Sequence, residues 1–298
     1  MRIAYNQYRF VLNFEREVNF ETFPLFIVRS ILGKELRSLC CISHQNQCDS
    51  CLYNQTCAHS WIFETILDKQ NTSLPGRERG IHPWTLQLID SDEKHLDFIL
   101  TLCGKANDYL PYIYAAFKRG EQKGIGKDRI PYIVEGPFCK GENLISDDGN
   151  YVASIPPEVF ELNEDCNTTA DVRCKVNLVT PLRITKDGKN CKRLEAGQFF
   201  PCINRRIRAL VSLYGESSGE KPYTFSEIKL SDIHLHYEKM NRWSARQKTV
   251  QNLGGIQGSF ILDGQISAFE ESLLDAAVLF GAGKLTNFGL GQVLIEKI

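Results

Sequence analysis

Five cysteines lie close together between residues 40 and 57, and thiols in such a cluster can bind a metal ion. Cys48 and Cys51 have the C-x-x-C spacing that is typical of a metal knuckle. With Cys41 and Cys57 flanking this pair, four thiolates could surround Zn²⁺ and stabilise a loop that lacks its own core. We therefore predict a structural zinc site at these four residues, and the choice between Cys40 and Cys41 stays open.

Two alternatives to zinc remain for this cluster. Only one C-x-x-C pair is present, so an iron–sulfur cluster or a set of unligated thiols also fits the pattern. Eleven cysteines would suit a disulfide scaffold in a secreted protein, but the N-terminus lacks the apolar segment of a signal peptide. We expect reduced thiols and a cytoplasmic location.

A glycine-rich segment, GAGKLTNFGLG at 281–291, ends the chain before a final strand. A phosphate-binding P-loop requires Ser or Thr after the lysine, between a strand and a helix, whereas Leu285 follows here and the order is helix, loop, strand. The glycines could simply turn the chain. They could also let a polynucleotide backbone approach, with N–H groups and a lysine on its phosphates. We predict polynucleotide contacts at Gly281, Gly283, Lys284, Gly289 and Gly291.

Two basic runs could extend such a surface. The run at 239–248, KMNRWSARQK, has four cations and no acid, and it predicts phosphate contacts with a stacked base at Arg242, Trp243, Arg246 and Lys248. The alternative is an exposed charge run around a core tryptophan. In NRRIR at 204–208, inward-facing isoleucines predict that Arg205, Arg206 and Arg208 point outward from a helix.

The elements that position these residues occur in the same order twice. Each half contains, in sequence, a strand, a helix, two strands, a helix, a G-x-G-K loop and a strand. The first half has these strands and helices at 2–14, 21–36, 84–90, 96–103, 107–119 and 130–136. The second half has them at 172–184, 197–215, 228–238, 255–262, 267–280 and 292–298, and Ser267 and Glu270 form a capping box for its last helix.

This repetition predicts an α+β protein with two tandem ferredoxin-like (βαββαβ) domains. We expect the first domain at 1–150, with the cysteine-rich insert at about 40–60, and the second domain at 171–298. The acidic, turn-rich segment within 140–170 joins them.

Composition agrees with a globular chain of this size. The 298 residues are 43% apolar and 24% charged, with a net charge of −1. Residues 171–298 carry 18 Lys and Arg against 13 Asp and Glu, which favours the second half as the site of an anionic partner. No apolar run approaches the roughly 20 residues needed to span a bilayer, so we expect no membrane partner.

Several of these motifs together resemble a known family. The C-terminal GAGKLTNFGLGQV, the VTPLRI strand and the INRRIRALVSLYG helix are similar to the CRISPR-associated, repeat-processing endoribonucleases of the RAMP superfamily. In the first half, the cysteine-rich insert and IPYIVEGPF resemble one bacterial branch of that family. The resemblance covers most of the chain and is densest over 171–298.

The resemblance implies a function. Such proteins bind the repeat RNA of a precursor CRISPR transcript and cut it once per repeat without a metal, and the guide RNA can pass to other CRISPR-associated proteins. A ribose 2′-OH attacks the adjacent phosphate, which leaves a 2′,3′-cyclic phosphate and a 5′-OH. The alternatives are a non-catalytic RNA-binding subunit of a CRISPR effector complex and a tandem ferredoxin-like interaction protein.

This chemistry needs proton transfer and positive charge near the phosphate. The family often has a histidine after the first helix, which makes His44 the leading acid or base, with Lys34 and Arg37 as the charged groups. His59 and His82 are weaker candidates. In one departure from the family pattern, Phe280 stands before the terminal glycine-rich segment, where members of this branch often have a histidine.

Overall fold

The computed structural model describes residues 1–43, 48–67, 78–151, 155–217, 223–244 and 249–298. The chain forms two compact units. The N-terminal unit comprises Ala4–Val159, and the C-terminal unit comprises Phe160–Ile298 together with Met1–Ile3. Among the described residues, no helix has the length and apolar character that crossing a membrane requires.

The N-terminal unit is an antiparallel sheet with two helices. Its elements are β1 (Arg2–Phe14), α1 (Leu25–Cys40), β2 (Trp84–Ser91), β3 (His95–Cys103), α2 (Leu110–Gly120), β4 (Tyr132–Cys139) and β5 (Glu142–Asn143). The spatial order of the strands is β2-β3-β1-β4-β5. The first four strands have the order of a βαββαβ ferredoxin-like unit, as the sequence predicts.

Alternation along β1 builds the core of this unit. Buried side chains recur along the strand, and Phe10 is fully buried. The Phe10 ring centroid lies 5.7 Å from that of Phe98 on β3 and 5.2 Å from that of Phe117 on α2. These contacts pack a helix onto one face of the sheet, and they hold the scaffold on which α1 and the cysteine-rich insert lie.

The C-terminal unit repeats this arrangement with added hairpins. Its elements are β6 (Glu158–Glu161, at the division between the units), β7 (Thr169–Leu182), β8 (Thr185–Lys186), β9 (Lys189–Asn190), α3 (Phe199–Tyr214), β10 (Lys229–Glu238), β11 (Asn241–Ser244), β12 (Thr249–Asn252), β13 (Gly255–Ser267), α4 (Ala268–Phe280) and β14 (Val293–Lys297). The main sheet has the order β10-β13-β7-β14, again ferredoxin-like, and β8–β9 and β11–β12 form separate hairpins.

The predicted capping box starts α4 immediately after β13. The backbone N–H of Glu270 donates to Ser267 Oγ at 3.2 Å, and the backbone N–H of Ser267 donates to Glu270 Oε2 at 2.8 Å. The carboxylate of Glu270 is fully buried and also accepts from the backbone N–H and hydroxyl of Ser226, both at 2.7 Å. Because these bonds fix the start of α4, they also fix the position of its last residue, and the glycine-rich segment that follows lies beside β7.

One helix boundary differs from the prediction, and one hairpin was not predicted. The helix predicted at 107–119 begins at Leu110, because Pro111 favours the first helical turn and a 3₁₀ turn, Gly104–Tyr109, precedes it. The Asn107 side chain donates to the carbonyl of Gly104 instead of capping the helix. The basic run at 239–248 contains β11 of a hairpin, a pairing that its charges do not reveal.

Candidate RNA-binding and cleavage site

The glycine-rich segment, residues 281–291, is mostly buried. It connects α4 to β14, and within it Ala282, Thr286 and Leu290 are almost completely inaccessible. Lys284 is exposed. The segment therefore presents a lysine at its surface while most of its length packs into the C-terminal unit.

The glycines of this segment allow close approach between parts of the chain's own backbone. Gly291 has φ +72°, and a Cβ added there would overlap the carbonyl oxygen of Ala282. A Cβ on Gly283, also at φ +72°, would lie 2.6 Å from the carbonyl oxygen of Arg183. Only glycine combines these dihedral angles with these contacts.

Most backbone donors that the structure describes in this segment are used internally. The N–H of Ala282 donates to the carbonyl of Gly291 at 2.8 Å, and the N–H of Gly291 donates to that of Pro181 at 3.1 Å. The N–H of Gly289 likewise donates to Thr286. The N–H groups of Gly281, Gly289 and Gly291 therefore already have carbonyl acceptors within the protein, contrary to the expectation that they reach phosphates. Phosphate contact by the Lys284 side chain stays a prediction.

Arg183 connects this segment to the β11–β12 hairpin, and sequence reasoning did not single it out. Its backbone carbonyl accepts from the N–H of Lys284 at 3.0 Å. Its guanidinium Nη1 donates to the carbonyls of Asn252 and Gly254 at 3.2 and 3.0 Å. The signal for Arg183 was its place directly after the β7 strand, inside VTPLRI.

Arg242 of β11 contacts the same segment. Its guanidinium carbon lies 4.9 Å from the centroid of the Phe288 ring, and burial lowers the pKa of this side chain. We call three residues the basic loop surface: Lys284 of the glycine-rich segment, and Arg183 and Arg242, which contact that segment. Arg246 and Lys248 lie outside the described residues, and the backbone of Trp243 belongs to β11.

The three arginines predicted to face outward from α3 differ in how exposed they are to solvent. Arg205 is exposed, whereas Arg206 is buried and its Nε donates to the carbonyl of Phe280 at 2.9 Å. The expectation that Arg206 points outward is therefore wrong, because its guanidinium binds the carbonyl of Phe280, the last residue of α4. Arg208 is half-buried, its guanidinium carbon 5.6 Å from the centroid of the Phe269 ring.

The cleavage candidates lie at the end of α1 and after it. The Lys34 side chain is 75% exposed, and its ammonium lies 4.0 Å from the carboxylate of buried Glu35. Arg119 and Lys123 also pair with Glu35, so this carboxylate is surrounded by cations. Arg37 is half-buried in the last turn of α1. His44 lies outside the described residues.

The weaker histidine candidates are both in aromatic surroundings. His59 is 4% exposed, and its ring stacks on that of Phe63 with centroids 5.6 Å apart. His82 Nε2 lies 3.5 Å from a guanidinium nitrogen of Arg29, and its ring packs edge-on against Trp84. These contacts are typical of packed side chains in the unit core.

Comparison with known families decides between the classes of protein that fit such a site. Residues 176–293 match the model of the CRISPR-associated endoribonuclease Cas6. That match spans about two fifths of the chain, which is Cas6-like over these residues. Residues 3–152, just over half of the chain, match the AF_1859_N N-terminal domain family. The chain belongs to this family. The Cas6 match identifies the chain as an endoribonuclease of CRISPR RNA processing, and the segment GAGKLTNFGLGQV at 281–293 lies entirely within that match.

Solved structures share the fold at low sequence identity. The chain of "Cas6 (TTHB231) product complex" is 11% identical, with a TM-score of 0.53 over 98% of this chain and 99% of that one. A chain of the "Partial Cas6-RT-Cas1--Cas2 complex" is 11% identical with a TM-score of 0.55. That match covers 99% of this chain but 46% of the longer one. A search of curated proteins gave no match.

The cysteine cluster of the N-terminal unit forms a pocket after α1. Cys41, Cys48, Cys51 and Cys57, the four predicted metal ligands, line it together with Cys40 and His59. The Sγ atoms of Cys41 and Cys51 each lie 3.9 Å from Ser43 Oγ. The structure thus brings all four predicted thiols to one pocket, and the zinc itself stays a prediction.

Burial controls the acidity of thiols in this pocket. It raises the pKa of Cys40 to about 11, and the neighbouring Cys57 adds to the shift. Burial also raises the pKa of Cys48, helped by the Glu64 carboxylate and opposed by the Arg37 guanidinium. Without a bound metal ion these two thiols stay protonated near neutral pH.

Proposed function

We propose that this chain binds CRISPR repeat RNA and cuts the precursor transcript once per repeat, without a metal ion in the chemical step. The observation that carries the proposal is the Cas6 family match over 176–293, which contains all three residues of the basic loop surface. The proposed function thus depends on the glycine-rich segment and on the positive charges of the basic loop surface.

Binding is assigned to the basic loop surface. Lys284 is exposed at the tip of the glycine-rich segment, and Arg183 holds that tip through a backbone hydrogen bond. Ammonium and guanidinium groups neutralise phosphates and release counterions, so affinity falls as salt rises. The arginine on β11 and the exposed Arg205 on α3 extend the positive charge of the same unit.

Cleavage is assigned to residues of the N-terminal unit. A base removes the proton of a ribose 2′-OH, the 2′ oxygen forms a bond to the adjacent phosphorus, and the bond from phosphorus to the 5′ oxygen breaks. An acid gives the leaving oxygen a proton, so the products are a 2′,3′-cyclic phosphate and a 5′-OH and no water is consumed. His44 supplies the proton transfer, and Lys34 and Arg37 supply positive charge.

The charge at Lys34 depends on its neighbours. Its ammonium lies 4.0 Å from Glu35, but Arg119 and Lys123 share the same carboxylate. Because three cations face one buried anion, this group retains net positive charge that can stabilise a pentacoordinate phosphorane.

The partners follow from the same reading. Solved relatives include a product complex and a chain assembled with RT, Cas1 and Cas2. For this chain, we propose a repeat RNA as the substrate. We propose other CRISPR-associated proteins as the recipients of its product.

A gel assay with end-labelled repeat RNA tests the function. The full chain is incubated for minutes in EDTA with the repeat, and with a shuffled RNA of equal length as the control. Cutting at one position in the repeat alone supports the proposal. A shifted but intact repeat band would instead identify a non-catalytic RNA-binding subunit, and the absence of both a shift and cutting would favour an interaction protein.

A further inference from the structure

The thiol pocket after α1 is not used by the proposed RNA chemistry. It is formed by residues 40–43 at and after the end of α1 and by residues 48–60. Its walls are cysteines, one histidine and small polar residues, together with Ile42 and Tyr53. Clustered thiols beside a buried imidazole are the donor set that structural zinc sites use.

One part of the pocket has the geometry of a metal site. The nearest donor atoms of Cys48, His59 and Glu64 all lie within 4.8 Å of one another, the only such group among the residues the structure describes. Tetrahedral zinc, with bonds of roughly 2.0–2.3 Å, requires ligand atoms about 3.3–3.8 Å apart. A contraction of about 1 Å would bring these donors into range.

The backbone around Cys48 is folded as a metal knuckle. The N–H of Cys51 donates to the carbonyl of Cys48 at 3.2 Å, which closes a turn and brings the two residues of the C-x-x-C pair close together. The imidazole of His59 is held by stacking on Phe63, with 18° between the rings. The sulfur pair and the imidazole are thus positioned before any ion binds.

Glu64 is the poorer ligand of the three. Its carboxylate forms an ion pair with Arg79, which also binds the carboxylate of Asp49 at 2.9 Å. A guanidinium in this position competes with a metal ion for the Glu64 oxygens. The remaining ligands are therefore expected to be thiolates, and Cys51 and Cys57 line the pocket within the same short segment as Cys48 and His59.

We propose that Cys48, Cys51, Cys57 and His59 bind one structural Zn²⁺. His59 takes the role that the cysteine spacing had suggested for Cys41, because a donor nitrogen of His59 lies within 4.8 Å of the Cys48 thiol. Zinc binding would release the three thiol protons to solvent and leave a net charge of −1 on the site instead of −3, which lowers the cost of burying the thiolates. The site goes beyond RNA cleavage, and its test does not depend on that activity.

The ion would connect the cysteine-rich insert to the helix that carries Lys34 and Arg37. Phe63, on which His59 stacks, packs so closely on α1 that a Cβ added to Gly33 would overlap its ring. The Trp84 indole N–H donates to the carbonyl of Ile62 at 3.0 Å, which anchors the same turn to β2. Zinc bound at His59 would therefore extend the unit core into the insert.

Metal analysis of the purified full chain tests the proposal. Wild type, grown with zinc and purified without chelator, is expected to hold about one zinc per chain. Cys48→Ser and His59→Phe, which keeps the stacked ring but removes the donor, are expected to lose it by tenfold or more. His59→Cys restores a ligand and is expected to keep the zinc.

Two matched controls make the assignment specific. Cys166→Ser, an exposed thiol of the other unit, and Cys41→Ser are both expected to retain zinc. Loss of zinc in Cys41→Ser together with its retention in His59→Phe would overturn the ligand set in favour of four cysteines. A metal-free wild type, or stoichiometric iron with sulfide, would overturn the zinc site.

Cobalt substitution covers the case in which a variant fails to fold. Co²⁺ bound to the wild-type chain is expected to show thiolate-to-metal absorption of three-sulfur intensity, and His59→Cys is expected to raise it by about a third. Equal intensity in the two proteins would contradict the role of His59.

Discussion

The backbone N–H of Lys284 donates to the carbonyl of Arg183 at 3.0 Å. This bond joins the exposed tip of the glycine-rich segment to the end of β7, so the lysine is presented from a fixed base. Gly283, directly before it, is in the left-handed region, and its Cα lies against the same carbonyl. The glycines therefore act on the chain itself, and through it on the position of Lys284.

Replacement of Lys284 tests its contact with phosphate. Lys284→Gln is expected to weaken repeat-RNA binding by about tenfold and to reduce the slope of log K against log salt by about one. Binding titrations at four salt concentrations measure both quantities. Lys297→Gln, an exposed lysine paired with Glu271 on the same unit, is the control and should change neither. An unchanged slope in Lys284→Gln would remove this residue from the interface.

The close approach at Gly291 predicts a large loss of stability on adding one methyl group. Gly188 is the matched control, since its φ is +75° and nothing lies within 4 Å of an added Cβ. Gly188→Ala is expected to cost about 1 kcal/mol from backbone strain alone. Gly291→Ala is expected to cost at least about 2 kcal/mol more, because the Ala282 carbonyl must move. Urea unfolding gives the comparison, and equal midpoints would show that the segment tolerates side chains.

Arg205 and Arg206 are expected to separate binding from stability. Arg206→Met leaves the buried carbonyl of Phe280 without its guanidinium, which should destabilise the chain by about 1–3 kcal/mol. Arg205→Gln alters an exposed position and should leave the unfolding midpoint within about 0.5 kcal/mol while weakening RNA binding several-fold. A thermal melt and a binding titration of each variant check this. The reverse pattern would contradict the orientation of α3.

Pattern and propensity were sufficient to predict the fold of each unit. The structure confirms three features that depend on local sequence. They are the repeated order of strands and helices, the alternation along β1 and the Ser267–Glu270 capping box. The hairpin around Arg242 and the pairing of β8 with β9 were missed, since short polar strands carry no hydrophobic period.

The site was harder to predict than the fold. Helical spacing distinguished the inward isoleucines of α3 but could not show that Arg206 reaches the end of α4, 74 positions along the chain. Likewise, the spacing of cysteines indicates a metal site but cannot reveal that the His59 ring lies within 4.8 Å of Cys48, because that depends on how the insert packs on Phe63. Long-range contacts of single polar side chains have no signature in sequence periodicity.

Substitution of His44 tests proton transfer. His44→Ala is expected to lower single-turnover cleavage by 100-fold or more while leaving the dissociation constant for repeat RNA unchanged. His95→Gln is the control, because His95 belongs to the same unit and pairs with Asp90 and Asp92 at its surface. Wild-type rates in His44→Ala would remove it from the chemistry and leave the question of the base open.

The attack by a 2′-OH is the central chemical claim, and one modified RNA tests it most directly. A repeat RNA with a single 2′-deoxy nucleotide at the cleavage position should bind as tightly as the unmodified RNA and stay uncut in EDTA. The unmodified RNA should give a 2′,3′-cyclic phosphate and a 5′-OH. Cutting of the deoxy substrate, or ends with a 3′-OH and a 5′-phosphate, would contradict the mechanism.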